Sequence, residues 1–167
     1  MITEYNLQQQ VADWSIYNFG HQVSKFDTSV LHATAPLLGI VEELGELDQA
    51  STTEEVVDAI ADIIIYSCDF CSRMTIELPP VTEEHISHTA MSLAGNLCHH
   101  VLKTHQGIRG YADKKFALEQ ITATISQILS YLNNTCVQLE LPSPMECAVT
   151  TFTHTVQKRN WKENPNG

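Results

Sequence analysis

The sequence predicts an all-α protein, a bundle of about six helices in which two related halves pack around one core. Apolar residues recur every three to four positions through most of the chain, which is the spacing of helices that bury one face. Helix-capping residues, Gly and Pro separate these segments, whereas clear strand alternation and Asn-Gly hairpin turns between apolar runs are absent. With 167 residues, 43% of them hydrophobic, the chain can bury one sizeable core.

The charge balance restricts the partners that the protein can have. Twenty acidic residues against nine basic ones give a net charge of −11, so a basic surface for nucleic acid or anionic lipid is not expected. The first ten residues do not resemble a signal peptide, and no apolar run reaches the length of a membrane span. We therefore expect a cytoplasmic protein without membrane contacts, and we expect its five cysteines, including Cys68 and Cys71, to pack in the core as free thiols.

The first half of the chain contains three predicted helices. They cover residues 5–19, 35–50 and 54–74, with Gly20 ending the first helix and an ambiguous, partly looped stretch at 21–33. Thr52 and Glu55 form a capping-box pattern, which separates the second helix from the third. Because the connection is so short, these two helices should be antiparallel neighbours.

The second half contains three more predicted helices. Leu78-Pro79-Pro80 interrupts the pattern, and Thr82 can cap a fourth helix over 83–104. A loop at 106–110 precedes a fifth helix over 114–137, which Asp113 can cap and in which Phe116 continues the apolar stripe. Ser143, Pro144 and Glu146 have the pattern of a capped start for a last helix, which we expect to reach about residue 160.

Acidic residues are concentrated on the second and third predicted helices. Glu42, Glu43 and Glu46 share one face of the second helix, opposite its apolar stripe, and Asp58 and Asp62 share one face of the third. Such acids are usually a solvated helix face. Two clusters on adjacent helices have a second explanation, which is that their carboxylates converge on a cation. Oxygen ligands alone favour Mg²⁺, Mn²⁺ or Ca²⁺ over zinc.

A weak internal repeat separates residues 1–78 from 79–167. Residues 41–47 align with 91–97, and residues 58–66 align with 123–131. The apolar positions persist while every acid is replaced, by Ser92, Leu93, Asn96, Ala123 and Gln127. The repeat therefore predicts one globular domain made of two helical halves, of which only the first carries the acidic site.

At the acidic motifs the sequence resembles the MazG-like, all-α nucleoside triphosphate pyrophosphatases. Glu42-Glu43-Leu-Gly-Glu46 and Asp58-Ala-Ile-Ala-Asp62 match the acidic pattern of that family. The resemblance implies Mg²⁺-dependent cleavage of a (deoxy)nucleoside triphosphate to the monophosphate and pyrophosphate, often to clean the nucleotide pool. Many members have an acid where this chain has Ala59, so Glu55, one turn earlier, is an alternative third ligand.

The resemblance and the residue chemistry together give an expected set of site residues. We expect Glu43, Glu46, Asp58 and Asp62 to hold one or two Mg²⁺ ions, with Mn²⁺ as the substitute, and Glu42 to orient water or bind as an outer ligand. The catalytic set is thus Glu42, Glu43 and Glu46. The residues expected to contact the nucleotide are Lys103, Arg109 and Arg159 at the phosphates, Trp14 and Trp161 stacked on the base, and Asn18 at a base edge.

Two other functions fit parts of the pattern. The repeat without acids would also suit a non-catalytic helical module for dimerisation or partner binding. A di-iron bundle is a third alternative, but such sites use Glu-x-x-His, and neither acidic helix has a His at that spacing. Apolar stripes on so small a bundle lead us to expect a homodimer.

Overall fold

The computed structural model describes residues 1–19 and 30–165, and within these ranges the chain is helical and has no strand. The all-α prediction is confirmed. The α-helices are α1 Leu7–Phe19, α2 Thr34–Gln49, α3 Thr53–Met74, α4 Ala90–Gln106, α5 Lys114–Gln138 and α6 Pro144–His154. Two short 3-10 helices, Val30–Ala33 and Val156–Lys158, precede α2 and follow α6. The predictions for Gly20 and for residues 21–29 lie outside the described residues.

Helix α3 lies at the centre of the bundle. It packs against α2 in an antiparallel hairpin and also contacts α1 and α6, while α4 and α5 form a second hairpin that meets the first mainly through α2. Its apolar face includes Ile60, Ile64 and Phe70, which are fully buried. Buried residues of all six helices form one continuous cluster, so both hairpins share one core.

The predicted caps of three helices are confirmed. Thr52 accepts a hydrogen bond from the Glu55 N–H, and Glu55 accepts one from the Thr52 N–H, which completes the capping box of α3. Ser143 and Glu146 make the equivalent box at α6. Asp113 accepts from the first backbone N–H groups of α5.

The predicted start of the fourth helix is wrong. Residues 79–88 are not helical, and α4 begins at Ala90 with Thr89 as its N-cap. The Thr82 hydroxyl instead hydrogen-bonds the Ser130 hydroxyl of α5, at 2.7 Å. Both threonines suit a cap by local pattern, and the contact with α5 is made by a residue 48 positions away, which sequence spacing does not reveal.

Two further predictions are wrong: the last helix ends earlier than expected, and Phe116 of the fifth helix is not part of the core. Helix α6 ends at His154, and after the 3-10 helix the chain turns back toward α1. There the Trp161 N–H donates to the Asn18 side-chain oxygen, and the Trp14 indole donates to the Arg159 carbonyl. Phe116 is exposed at the start of α5, where it packs edge-on against Tyr111 instead of joining the core.

The second helices of the two hairpins end in the same backbone geometry. Each has a left-handed residue after its last turn, Thr75 with φ of 57° and Glu140 with φ of 54°. The same two hydrogen bonds close both ends: Thr75 N–H to Ser72 O with Ile76 N–H to Cys71 O, and Glu140 N–H to Val137 O with Leu141 N–H to Cys136 O. Helix α4 ends in the same way at Gly107, with hydrogen bonds from Gly107 N–H to Thr104 O and from Ile108 N–H to Lys103 O, so the ending does not distinguish the two second helices. The division into two related halves remains a prediction.

The cysteines are free, and four of the five are buried. Burial raises the pKa of Cys71 to about 12 and raises that of Cys68 further, so both thiols stay protonated at neutral pH. The prediction that Cys68 and Cys71 pack in the core is confirmed. None of the helices described is both long enough and apolar enough to cross a membrane.

Candidate functional site

The acidic faces of α2 and α3 converge. The pKa of Glu43 is raised to about 7, first by burial and then by the charges of Asp62, Glu46, Glu42 and Asp58, in decreasing order. All five predicted acids are therefore within electrostatic reach of one another. Glu43 is half-buried at the middle of the cluster, while Glu42, Glu46 and Asp58 are exposed around it.

Asp62 is the most enclosed carboxylate of the α3 pair. Burial raises its pKa to about 6, as do the charges of Asp58 and Glu46, and the guanidinium of Arg159 opposes the shift. Among the described residues, Arg159 is thus the basic residue that partly offsets the charge of this cluster. It comes from the segment after α6, far from α3 in sequence, and it is one of the predicted phosphate-binding residues.

Glu55 has a different role from the other acids. One of its carboxylate oxygens accepts hydrogen bonds from Ser51 N–H, Ser51 Oγ and Thr52 N–H, at 2.7 to 3.0 Å. These bonds lower its pKa. Position 59, where an additional ligand was considered, holds a buried alanine. Glu55 therefore stabilises the start of α3, and Asp58 and Asp62 are the acids that this helix contributes to the cluster.

The cluster suits a divalent cation in charge and in donor type. Crowded carboxylates with raised pKa values are repelled by their own charge, which a cation would relieve. Among the described residues, however, no group of three or more His, Cys, Asp or Glu side chains could hold a metal ion in the conformation that the structure has. Binding would therefore require side-chain rotations, which exposed Glu42, Glu46 and Asp58 are free to make.

A cavity of about 540 Å³ opens beside the acids. It lies between α1, α3 and the segment that follows α6. Its lining combines aromatic rings with charged groups at both ends: Trp14, Phe19, Tyr66 and Trp161, with Asp62, Arg159 and Asp69. Such a mixture of apolar walls and few polar groups is typical of small-molecule sites.

One face of α3 forms the floor of this cavity. Asp62, Tyr66 and Asp69 are spaced by four and three residues, so they follow one another along a single face. The Tyr66 ring lies directly over Gly39 of α2, where a Cβ atom would come within 2.6 Å of the ring. The absence of a side chain at Gly39 therefore allows Tyr66 to lie between the acid cluster and the cavity.

Tyr66 is a candidate site residue that the sequence analysis missed. It is half-buried, and burial together with the charges of Glu43, Asp62 and Glu42 raises its pKa. The signal was present in the sequence, because Tyr66 follows Asp62 by one helical turn and must share its face. The sequence does not identify Gly39 as the residue that Tyr66 packs on, since no local pattern indicates which aromatic ring will lie against a glycine of another helix.

The far end of the cavity is held by a buried ion pair. Arg73 donates to both oxygens of Asp69, at 2.8 and 2.9 Å, and also to Ser15 Oγ and the His32 carbonyl. Ser15 Oγ in turn donates to Asp69 at 3.0 Å. This network joins α1, α3 and the first 3-10 helix, so it fixes the position of Asp69 relative to α1.

The predicted base-binding residues lie together, with one difference in role. Trp14 and Trp161 line the cavity, and the Arg159 guanidinium lies 5.7 Å from the centre of the Trp161 ring. Asn18 is buried, and its amide already bonds the Trp14 carbonyl and the Trp161 N–H. Asn18 therefore holds the C-terminal segment against α1, and it does not line the cavity.

Lys103 and Arg109 are not brought to this cavity. Lys103 bonds the Gln106 side chain, and Arg109 is exposed in the turn between α4 and α5, with φ of 56°. Neither lines the cavity, and neither is among the charges that shift the pKa of Glu43 or Asp62. Of the predicted phosphate-binding bases, Arg159 is the one that reaches the acids.

The comparisons with known proteins add no relative: no protein-family model, no curated protein and no solved structure matches this chain.

Proposed function

We propose that the protein is a Mg²⁺-dependent nucleoside triphosphate pyrophosphohydrolase, which converts a (deoxy)nucleoside triphosphate and water into the monophosphate and pyrophosphate. The observation that carries the proposal is the position of the aromatic cavity directly beside five converging carboxylates, with Asp62 and Arg159 at the junction. A nucleotide joins a flat apolar base to a polyanionic chain, so it needs both kinds of surface next to each other.

In this proposal Glu43, Glu46, Asp58 and Asp62 would hold the cation, as oxygen ligands of the type that Mg²⁺ prefers. When bound, the ion would neutralise charge on the phosphate chain and lower the pKa of a coordinated water. Glu42, exposed at the edge of the cluster, is in a position to accept a proton from the attacking water. Mn²⁺ has the same ligand preference and is expected to substitute.

Arg159 supplies the positive side chain. Its charge reaches Asp62 and Tyr66, so its guanidinium lies at the boundary between the acids and the cavity. A planar guanidinium can donate two parallel hydrogen bonds to a phosphate, which would orient the chain for cleavage between the α and β phosphorus atoms. Trp14 and Trp161 would hold the base on the other side of this boundary.

The test is pyrophosphate release from a panel of canonical and modified nucleoside triphosphates, measured with Mg²⁺ and with EDTA. We expect monophosphate and pyrophosphate in equal amounts, only when the metal is present. Release of single phosphates would keep a metal-dependent hydrolase and reject α–β cleavage. No turnover by the folded protein with saturating Mg²⁺ would reject the enzymatic proposal.

A non-catalytic helical module is the second candidate. The observation that favours it is that, in the part of the chain that is described, the acids are not already arranged as a metal site. Equilibrium dialysis with Mn²⁺ separates the two candidates, because the enzyme must bind the ion and the module need not. Saturable Mn²⁺ binding that Mg²⁺ displaces would favour the enzyme.

A further inference from the structure

The cavity has two chemically different ends, joined by one face of α3. Asp62, next to the acid cluster, and Asp69, at the opposite end, are seven residues apart, which corresponds to about 10 Å along the helix axis. Tyr66 lies between them. If the phosphate chain lies at the acids and the base between the aromatic rings, the edge of the base that is farthest from the phosphates meets Asp69.

The hydrogen bonds around Asp69 leave one of its carboxylate oxygens able to accept a further hydrogen bond. Its Oδ2 accepts from Arg73 and from Ser15, and its Oδ1 accepts, among the described residues, from Arg73 alone. A carboxylate oxygen can accept two hydrogen bonds, so Oδ1 can accept one more. The Asp69 side chain is 15% exposed, and it borders the cavity.

The two described side chains that bond Asp69 do not offer a competing donor. Arg73 is 4% exposed, and its guanidinium already bonds Asp69, Ser15 and the His32 carbonyl. The Ser15 hydroxyl donates a hydrogen bond to Asp69 and accepts one from Arg73. This end of the cavity therefore presents an acceptor to a ligand and requires a donor from it.

We propose that Asp69 is a specificity-determining residue that selects nucleobases with an exocyclic amino group over bases that carry a carbonyl or a hydrogen at that position. The proposal rests on the proposed function and names its substrate class, which is nucleoside triphosphates of cytosine, adenine or guanine. An amino group donates to the free lone pair of Asp69 Oδ1. A carbonyl in its place would face Oδ1 as a second acceptor, so the additional hydrogen bond could not form and the carbonyl would lack a partner there.

The arrangement is suited to discrimination because Asp69 cannot move away from an unsuitable base. Two hydrogen bonds from Arg73 and one from Ser15 fix both of its oxygens. Sites built to pair with a substrate N–H reject analogues that lack it much more strongly than apolar pockets reject a change of size. For a carboxylate that retains some exposure, we expect discrimination of about 100-fold in kcat/KM, well below the roughly 10⁴- to 10⁵-fold of fully enclosed hydrogen-bonding sites.

The test compares nucleotides that differ at one exocyclic group, using the full-length protein with Mg²⁺. The pairs are dCTP with dUTP, dGTP with dITP for an amino group at C2, and dATP with dITP for an amino group at C6. We expect the amino-bearing member to have the higher kcat/KM, by about 100-fold in the pair that fits the cavity. Equal values in all three pairs, within about threefold, or a preference for the member without the amino group, would overturn the inference while the pyrophosphohydrolase proposal stands. Absence of turnover on all five nucleotides would remove both.

Two variants assign the effect to Asp69. Asp69→Asn weakens the acceptor, adds a donor and should remove most of the preference, so the ratio of kcat/KM within the pair should approach one. Glu83→Gln is the control, because it makes the same change from carboxylate to amide at an exposed position that does not line the cavity, and it should keep the ratio. A ratio that survives Asp69→Asn would show that another group reads the base. If that variant does not fold, the comparison within the wild-type pairs still decides whether selection occurs.

Discussion

The two helical hairpins of this protein end alike and differ in what they carry. Helices α3 and α5 are closed by the same pair of backbone hydrogen bonds around a left-handed residue, and both hairpins bury apolar stripes in one core. The α2–α3 hairpin has five carboxylates on its outer face, whereas the α4–α5 hairpin has Ser92, Leu93, Asn96, Ala123 and Gln127 at the aligned positions.

In the predicted alignment of the two hairpins, the second hairpin forms its helices without the acids. Leu93, aligned with Glu43, is completely buried, which is an ordinary stabilising position for a leucine. Glu43 is half-buried among like charges, and its pKa of about 7 means that its ionised form opposes folding at neutral pH. The first hairpin thus carries a residue that lowers its stability at neutral pH, and the proposed cation would offset this repulsion.

The largest expected effect comes from removing one acid from the first hairpin. Glu46→Gln keeps the size and helical preference of the side chain but removes a negative oxygen ligand, so Mg²⁺-dependent pyrophosphate release should fall by at least about 100-fold. The matched control is Asn96→Ala in the second hairpin, which should leave turnover within about twofold, since surface changes away from a site are usually mild.

Helical circular dichroism checks that both variants fold. If Glu46→Gln retains turnover, or if Asn96→Ala loses as much, the proposal that only the first hairpin carries the catalytic acids is wrong.

The next effect concerns the contact that is specific to the first hairpin. In Gly39→Ala, the added methyl would lie 2.6 Å from the Tyr66 ring, so the ring or the helix must move. We expect a loss of about 1–3 kcal/mol in unfolding free energy, the usual range for overpacking. A shift of about 1 Å at the site should also lower kcat/KM by about 100-fold.

Gly45→Ala is the control for Gly39→Ala. It lies on the same helix, but nothing is within 4 Å of its added Cβ, so it should stabilise α2 by up to about 1 kcal/mol through helix propensity. Urea denaturation of both variants, with the wild type, measures the difference. Equal responses of the two glycines would mean that Tyr66 does not depend on Gly39.

The sequence predicted the helices well where the signal was local. The capping boxes at Thr52 and Ser143 and the cap at Asp113 are each made within three residues, so the pattern contains the whole interaction. Helix α4 was placed seven residues too early because Thr82 and Thr89 are both suitable caps. Only the contact of Thr82 with Ser130, across the core, decides between them.

The candidate site was likewise predictable where its residues are placed by local sequence patterns. The acids are placed by helical spacing and one short connection, and their mutual charge effects agree with the expected convergence. Arg159 reaches Asp62 because the chain turns back after α6, where the sequence predicted continued helix. Arg109, also expected at the phosphates, lies in the turn between α4 and α5, since residue type alone does not indicate which site a side chain reaches.

A smaller effect is the pH dependence of stability without metal. The folded-state pKa of Glu43, about 7, is above its ordinary value of 4.5, so the folded state holds a proton that the unfolded chain loses. Its contribution to stability is complete below pH 4.5 and is lost as the pH rises through about 7. In EDTA, the melting temperature should therefore fall over this interval, and Asp62, with a pKa of about 6, adds to the fall.

Glu43→Gln is the variant that tests this slope. It should flatten the decrease in melting temperature between pH 5 and pH 8 and should melt higher than the wild type at the upper end. Glu83→Gln, an exposed acid outside the cluster, is the control and should keep the wild-type slope. If Glu43→Gln leaves the slope unchanged, the ionised carboxylate of Glu43 does not destabilise the folded state.

The smallest effect tests the feature that the hairpins share. A residue with a Cβ atom is destabilised by about 1–2 kcal/mol in the left-handed conformation, and replacement by glycine removes this strain. Glycine also makes the unfolded chain more flexible, which costs about 0.4–1 kcal/mol of stability. Thr75→Gly and Glu140→Gly should therefore each stabilise the protein by about 0.5–1 kcal/mol in urea denaturation. Thr75 is β-branched, which favours a larger gain, but its hydroxyl bonds the Met74 carbonyl and that bond is lost. Similar gains at both positions would mean that the two helices end under the same strain, and that the hairpins differ only in their outer faces. A gain at one position alone would mean that the backbone likeness conceals different local energetics.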